Sequence, residues 1–118
     1  MAQSIFAQDG FTITDTIPGV PGLYPPVRLT YRPCSDDEAR EFERTPDAKA
    51  KAARAALILS HLENQTISAV SVDAAGKETL ATAVLTAETF GKLHAGIGAA
   101  IANRVLGYVG PAAASEGN

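Results

Sequence analysis

Two short segments that alternate apolar with polar residues, Phe11 to Ile17 and Val27 to Pro33, flank a connection too rich in proline and glycine to be helix or sheet. A period of two puts Phe11, Ile13 and, beyond Asp15, Ile17 on one face of an extended chain, and Val27, Leu29 and Tyr31 on one face of the second segment. The pattern predicts a two-stranded antiparallel unit with one apolar side. Two strands alone are marginal in water, so that side must be covered from elsewhere in the chain. Helical patterns downstream supply the cover. The expected fold class is therefore α+β: a small antiparallel hairpin or sheet packed against about three α-helices in one domain.

The connection holds Pro18, Pro21, Pro25 and Pro26 with Gly19 and Gly22. Its prolines stiffen the backbone and cannot donate hydrogen bonds, while its glycines accept positive φ. Val20, Leu23 and Tyr24 thus sit on a segment with little conformational entropy to lose, which makes them candidates for contact with another protein. The competing expectation is a long linker that folds over the edge of its own sheet.

Beyond Pro33 the period changes. Ser35-Asp36-Asp37-Glu38 spells a capping box, with carboxylates at the positive end of the helix dipole. A short helix carrying Ala39 and Phe42 inward should start there and break at Thr45-Pro46. Those two residues are expected as N-cap and first helical position of a second helix, ending near Leu62 or Glu63. On it Ala48, Ala52, Ala55, Leu59 and Leu62 recur at helical steps. Leu57 and Ile58 widen the apolar band beyond the needs of one sheet face, which points to either a central helix or an interface, and they join the candidate interaction residues. His61 is expected as a partly exposed side chain near the free carbonyls of the helix end.

Thr66 to Val72 is β-branched and reads as a strand, with a turn over residues 73 to 77. Thr79 to Leu85 is either its hairpin partner or a loop. Thr86 begins the last helix, stapled by Leu85 and Phe90, and Phe90, Leu93, Ile97, Ile101, Val105 and Tyr108 form its stripe. Gly91, Gly96 and Gly98 lie inside that stripe, each costing about 1 kcal/mol against Ala. Either the helix bends or breaks near residues 95 to 98, or another backbone packs closely there. Ile97 and Ile101 complete the candidate interaction set, and Gly110-Pro111 is expected to end the helix.

Several chemistries are disfavoured. In 118 residues there is no Trp, and Ala supplies much of the apolar fraction, so the core should be thin and open to completion by a partner or a second copy. Net charge is -3 and the ten Lys and Arg residues are scattered, without the basic stripe of a nucleic-acid binder. Cys34 is the sole cysteine, so no intrachain disulfide forms, as suits a reducing compartment. We expect residues 1 to 10 to form an N-terminal arm, 11 to 109 the domain and 110 to 118 a flexible tail, with no secretory signal, no membrane span and a cytoplasmic location. Asp36, Asp37, Glu38, Glu41 and Glu43 read as caps on a solvated face, with no histidine at a spacing that completes a metal site. Gly96-Ile97-Gly98 lacks the strand-to-helix context of a dinucleotide cradle. Ser60, Ser68 and Ser71 lie near His61 and Asp73 without a nucleophile elbow. No catalytic, cofactor or metal residue is expected.

The order of these parts resembles a known family. Asp15 to Pro33, with its Ile17-Pro18-Gly19-Val20-Pro21-Gly22 opening, is followed by an acidic helix, a helix ending near Ser60-His61-Leu62, a short strand region, and Leu85-Thr86 before a closing helix. Together they are similar to the small tail assembly chaperones of tailed bacteriophages and prophages, over about Phe11 to Tyr108. The resemblance implies a non-enzymatic protein of the host cytoplasm that keeps the long, helical tape measure protein soluble until tail tube protein polymerises around it. A structural virion component, such as a head-tail adaptor or tail subunit using the Pro-rich loop for subunit contacts, is the alternative. A small enzyme ranks last.

Overall fold

The computed structural model describes residues 11–110. The expected N-terminal arm and most of the expected tail lie outside the described residues. The alternating segments form β1 (Ile13–Ile17) and β2 (Val27–Tyr31), paired antiparallel from Ile13 opposite Tyr31 to Ile17 opposite Val27. The chain then makes α1 (Asp36–Glu43) and α2 (Asp47–His61) before returning as β3 (Thr66–Val72) and β4 (Glu78–Val84). The four strands lie in the order β1-β2-β3-β4, all antiparallel, and α3 (Ala87–Phe90) and α4 (Ala95–Val105) close the domain. This is an α+β fold.

Local chemistry accounts for the element ends. The Ser35 hydroxyl accepts from the Glu38 amide while Glu38 accepts from the Ser35 amide, completing the capping box of α1. The start of α2 departs from expectation by one residue. Pro46 is the N-cap, and Thr45 instead turns its hydroxyl back to the Glu41 carbonyl. Thr86 caps α3 reciprocally with Thr89 in place of the usual Glu or Gln. The helical stripe breaks over residues 91–94, earlier than expected, and α4 ends before Gly110. At Gly107, φ +84, a left-handed residue lets the Tyr108 amide reach Asn103 and the Gly107 amide reach Arg104, the paired bonds of a Schellman stop. That turn carries Tyr108 off the stripe to the surface, where its hydroxyl donates to Glu43.

The core lies between the sheet and the helices. Ile17, Val27, Leu29, Tyr31 and Ile67 from the strands meet Ile58, Leu59, Ile97, Ile101 and Val105 from the helices. Cover is uneven, however. β2 and β3 pair only at Val27 with Ala69 and Arg28 with Ser68, and β4 is exposed along its whole length. The β3–β4 hairpin therefore projects past the helical layer.

Asp15, the one polar residue on the apolar face of β1, is fully buried beside Arg104 of α4, Nε to Oδ2 2.6 Å. The Thr16 amide donates to the other carboxylate oxygen, and Arg104 also donates to the Ala100 carbonyl. Removing one partner strands a charge in the core, which costs about 3–5 kcal/mol, whereas replacing both with apolar residues of similar volume is often neutral. Urea denaturation of Arg104→Ala should show a loss of that size, and Asp15→Leu combined with Arg104→Met should recover most of it.

Candidate functional site

The first cluster forms where β2 ends against α1 and α2. Arg32 follows β2 directly and makes a two-point contact with Glu38, Nη1 to Oε1 3.2 Å and Nη2 to Oε2 3.1 Å. His61 comes in from the last turn of α2, and its Nε2 lies 2.8 Å from Arg32 Nη2 and 3.0 Å from Glu38 Oε2. Its Nδ1 is 2.7 Å from the Leu57 carbonyl, a contact that requires the proton on Nδ1. Cys34 Sγ sits 3.7 Å from Nε2. His61 is only 4% exposed, which corrects the expectation of a partly exposed helix-end residue. The pairing with Glu38 likewise corrects the reading that no histidine approaches the acidic helix start.

The electrostatics of this cluster follow from its contacts. Hydrogen bonds from Arg32 hold the Glu38 carboxyl at about 2, well below its ordinary 4.5, against the opposing effect of burial. Burial, with Glu38 nearby, pushes the Cys34 thiol up to about 11. A thiol kept protonated is the reverse of an activated nucleophile. Cys34, Glu38 and His61 do place three potential metal ligands within 4.8 Å of one another. The Arg32 guanidinium is hydrogen-bonded to two of the three, so a cation would have to displace it. As it stands, the arrangement is an ion-pair network that ties α1, α2 and the end of β2 together.

The second feature is a groove of about 910 Å³ between α2 and the α3–α4 pair. Ala48, Ala52 and Ala55 form one wall, and Ala95, Gly98 and Ala99 the other. Phe90 lies at its base with the Arg54 guanidinium over the ring, 5.8 Å from the centroid. Ala48 and Ala52, on the recurring line of α2, are exposed, and the buried residues of that helix, Ala55, Ile58, Leu59 and His61, all lie in its second half. Small side chains dominate both walls, and Lys51, Glu88 and His94 bring polar groups to the same groove.

The third is the proline-rich connection. It folds into a tight turn at Pro21-Gly22, with Val20 and Tyr24 bridged. Tyr24 anchors it: the ring stacks on His94, centroids 5.3 Å apart, and a Cβ at Gly96 would lie 2.6 Å from the Tyr24 hydroxyl. Gly96 is thus a seat for an aromatic side chain rather than for another backbone. Val20 and Leu23 stay exposed at 41% and 58%.

The seven candidate interaction residues therefore divide. Val20 and Leu23 are open to a partner, and Tyr24 and Leu57 are half-buried. Ile58, Ile97 and Ile101 are core residues, Ile58 and Ile101 fully so, and they present nothing to a partner in this fold. The apparent surplus on α2 and α4 arises because each helix packs against the other as well as against the sheet. None of the seven candidates lines the groove, whose signal in the sequence is the run of Ala at positions 48 and 52 together with the glycine-containing helix that follows.

Compared with family models, curated proteins and solved structures, the chain matches none. Among the described residues no helix is long and apolar enough to cross a membrane.

Two measurements check the polar cluster. Glu38 has a depressed folded pKa, so its contribution is complete above the ordinary carboxyl value and is lost as pH falls from 4.5 toward about 2. Acid titration of stability should therefore be steeper across that window in the native chain than in Glu38→Gln. At pH 8, Cys34 should react with iodoacetamide at least about tenfold more slowly than a free cysteine, and at the free rate after urea unfolding.

Proposed function

We propose that this chain is an assembly chaperone of a tailed bacteriophage, acting in the host cytoplasm by holding the tape measure protein until tail tube subunits enclose it. The observation that carries the reading is the alanine- and glycine-walled groove between α2 and the α3–α4 pair. A trough with small apolar walls, and with Lys51, Arg54 and Glu88 among its lining residues, accepts a helix lying along it, and its small side chains suit many similar client segments better than one tight sequence. Release onto the growing tube needs modest affinity, which the small side chains of the two walls provide. The exposed tip of the Pro-rich loop, Val20 and Leu23, adds a second contact of low entropic cost. The family resemblance supplies the identity of the client.

The exposed loop tip also favours the structural alternative, in which Val20 and Leu23 contact a neighbouring subunit of a virion. Sedimentation separates the two. A ring or filament of the isolated protein selects the structural role, and a monomer or small oligomer that binds the client selects the chaperone.

Coexpression with the tape measure protein tests the proposal directly. The native chain should bring that protein into the soluble fraction as a complex. Ala52→Glu with Ala99→Glu, both at exposed positions, should keep the circular dichroism of the fold and lower the soluble client by about tenfold, since each places a charge in the apolar contact. Client solubility that is indifferent to the chain, or to these substitutions, would reject the groove.

A further inference from the structure

Among the described residues β4 ends the sheet with an open hydrogen-bonding edge, and its polarity is set by the ladder to β3. The Leu85 amide donates to the Gln65 carbonyl and the Asp73 amide to the Lys77 carbonyl, so in this register the odd-numbered pairs are the hydrogen-bonded ones. Thr79, Ala81 and Ala83 thus face β3 with their main-chain groups. Leu80, Thr82 and Val84 point theirs outward, and among the described residues no strand receives them.

The two edges of the sheet differ in protection. β1 has five residues, carries the inward-facing charge of Asp15 and runs directly into Pro18, three devices that discourage added strands. β4 has seven residues without Pro or Lys, and no bulge interrupts its register. Its only charge, Glu78, is already neutralised within the chain by a two-point contact from Arg28, at 2.9 and 3.1 Å. Leu80 and Val84 stand on the face away from the helices, 47% and 67% exposed, with Val72 of β3 beside them at 61%.

We propose that β4 pairs with β4 of a second copy of this chain, antiparallel about a two-fold axis at Thr82, to give a continuous eight-stranded sheet. The centre follows from parity and side-chain chemistry. Around Thr82 every outward-pointing residue meets another outward-pointing residue: Thr82 meets Thr82, and Leu80 meets Val84 of the other copy in both directions. Apolar side chains then lie opposite apolar ones on one face, and Ala81 and Ala83 meet on the other. Glu78 falls opposite Thr86 rather than its own equivalent, so no like charges oppose. The two-fold stands perpendicular to the sheet and leaves both helical layers on the same side. A contact confined to one strand edge is small, below about 1,200 Å², which makes the dimer reversible rather than obligate. This inference is independent of the client-binding reading, because the groove lies on the helical layer and stays open in either state.

Analytical ultracentrifugation of the full chain from roughly 1 μM to 1 mM, the range in which so small a contact half-forms, should show a monomer–dimer equilibrium. Thr82→Pro removes an outward-pointing amide and keeps the main-chain ladder to β3, giving up only the hydroxyl contact with Ser68, and Leu80→Lys installs the charge that guards natural edges. Each should weaken dimerisation by about tenfold or more. Thr14→Lys, on the opposite edge, should leave it unchanged. In the native chain, amide exchange at Leu80, Thr82 and Val84 should slow as concentration rises, while Thr79, Ala81 and Ala83 stay protected throughout. A monomer at every concentration, a dimer abolished equally by Thr14→Lys, or a dimer whose even-numbered β4 amides keep exchanging freely would overturn the proposal.

Discussion

The arrangement of sheet against helices depends on one charge pair. Asp15 and Arg104 are 89 positions apart in the chain, and their contact sets β1 across α4 in the middle of the core. Apart from Tyr31 and Phe90, the core cluster consists of Ile, Leu, Val and Ala, whose attraction is non-directional and tolerant of small slides. A charge-assisted hydrogen bond in a dry setting is not tolerant, since a shift of an ångström leaves both ions without their partner. Tyr31, on the same sheet face, registers the setting: burial, with the Asp15 carboxylate near, raises its phenol, and Arg104 partly offsets the rise. In a domain without Trp, specificity of packing comes from this pair as much as from shape.

Much of the fold was legible because it is local. The period of two in Phe11 to Ile17 and Val27 to Tyr31, the capping box at Ser35 to Glu38, the Asp73 turn and the staple of Leu85 with Phe90 each involve residues within a few positions of one another. The hairpin partner of β3 formed despite its weak strand residues Ala81 and Ala83, because seven consecutive pairings to β3 outweigh modest propensity. What escaped was long-range. Asp15 stood in plain view on an apolar face, and Arg104 stands on the line of Ile97 and Ile101, yet nothing in one strand or one helix announces the other. The approach of His61 to Glu38 is hidden for the same reason.

The burial of Ile58, Ile97 and Ile101 carries a related lesson about apolar surplus. A helix judged against one neighbour looks over-greasy when it in fact has two. Accessible apolar surface lies instead on the outer face of the β3–β4 hairpin at Val72, Leu80 and Val84, at the loop tip, and along the small side chains Ala48, Ala52, Ala95 and Ala99. Small residues contribute little area each, so any partner there must make contact over length rather than depth.

The overhang of β3 and β4 beyond the helices has a bearing on how the molecule breathes. Residues 71 to 84 have no buried side chain, so past Val70 the hairpin is held by strand pairing and by the surface contact of Arg28 with Glu78. Opening it exposes little apolar area, and the free energy required is correspondingly a fraction of that for global unfolding. The domain is thus graded in rigidity: a fixed block organised by Asp15 and Arg104, and a ribbon at its margin that detaches and re-forms while the block stays intact.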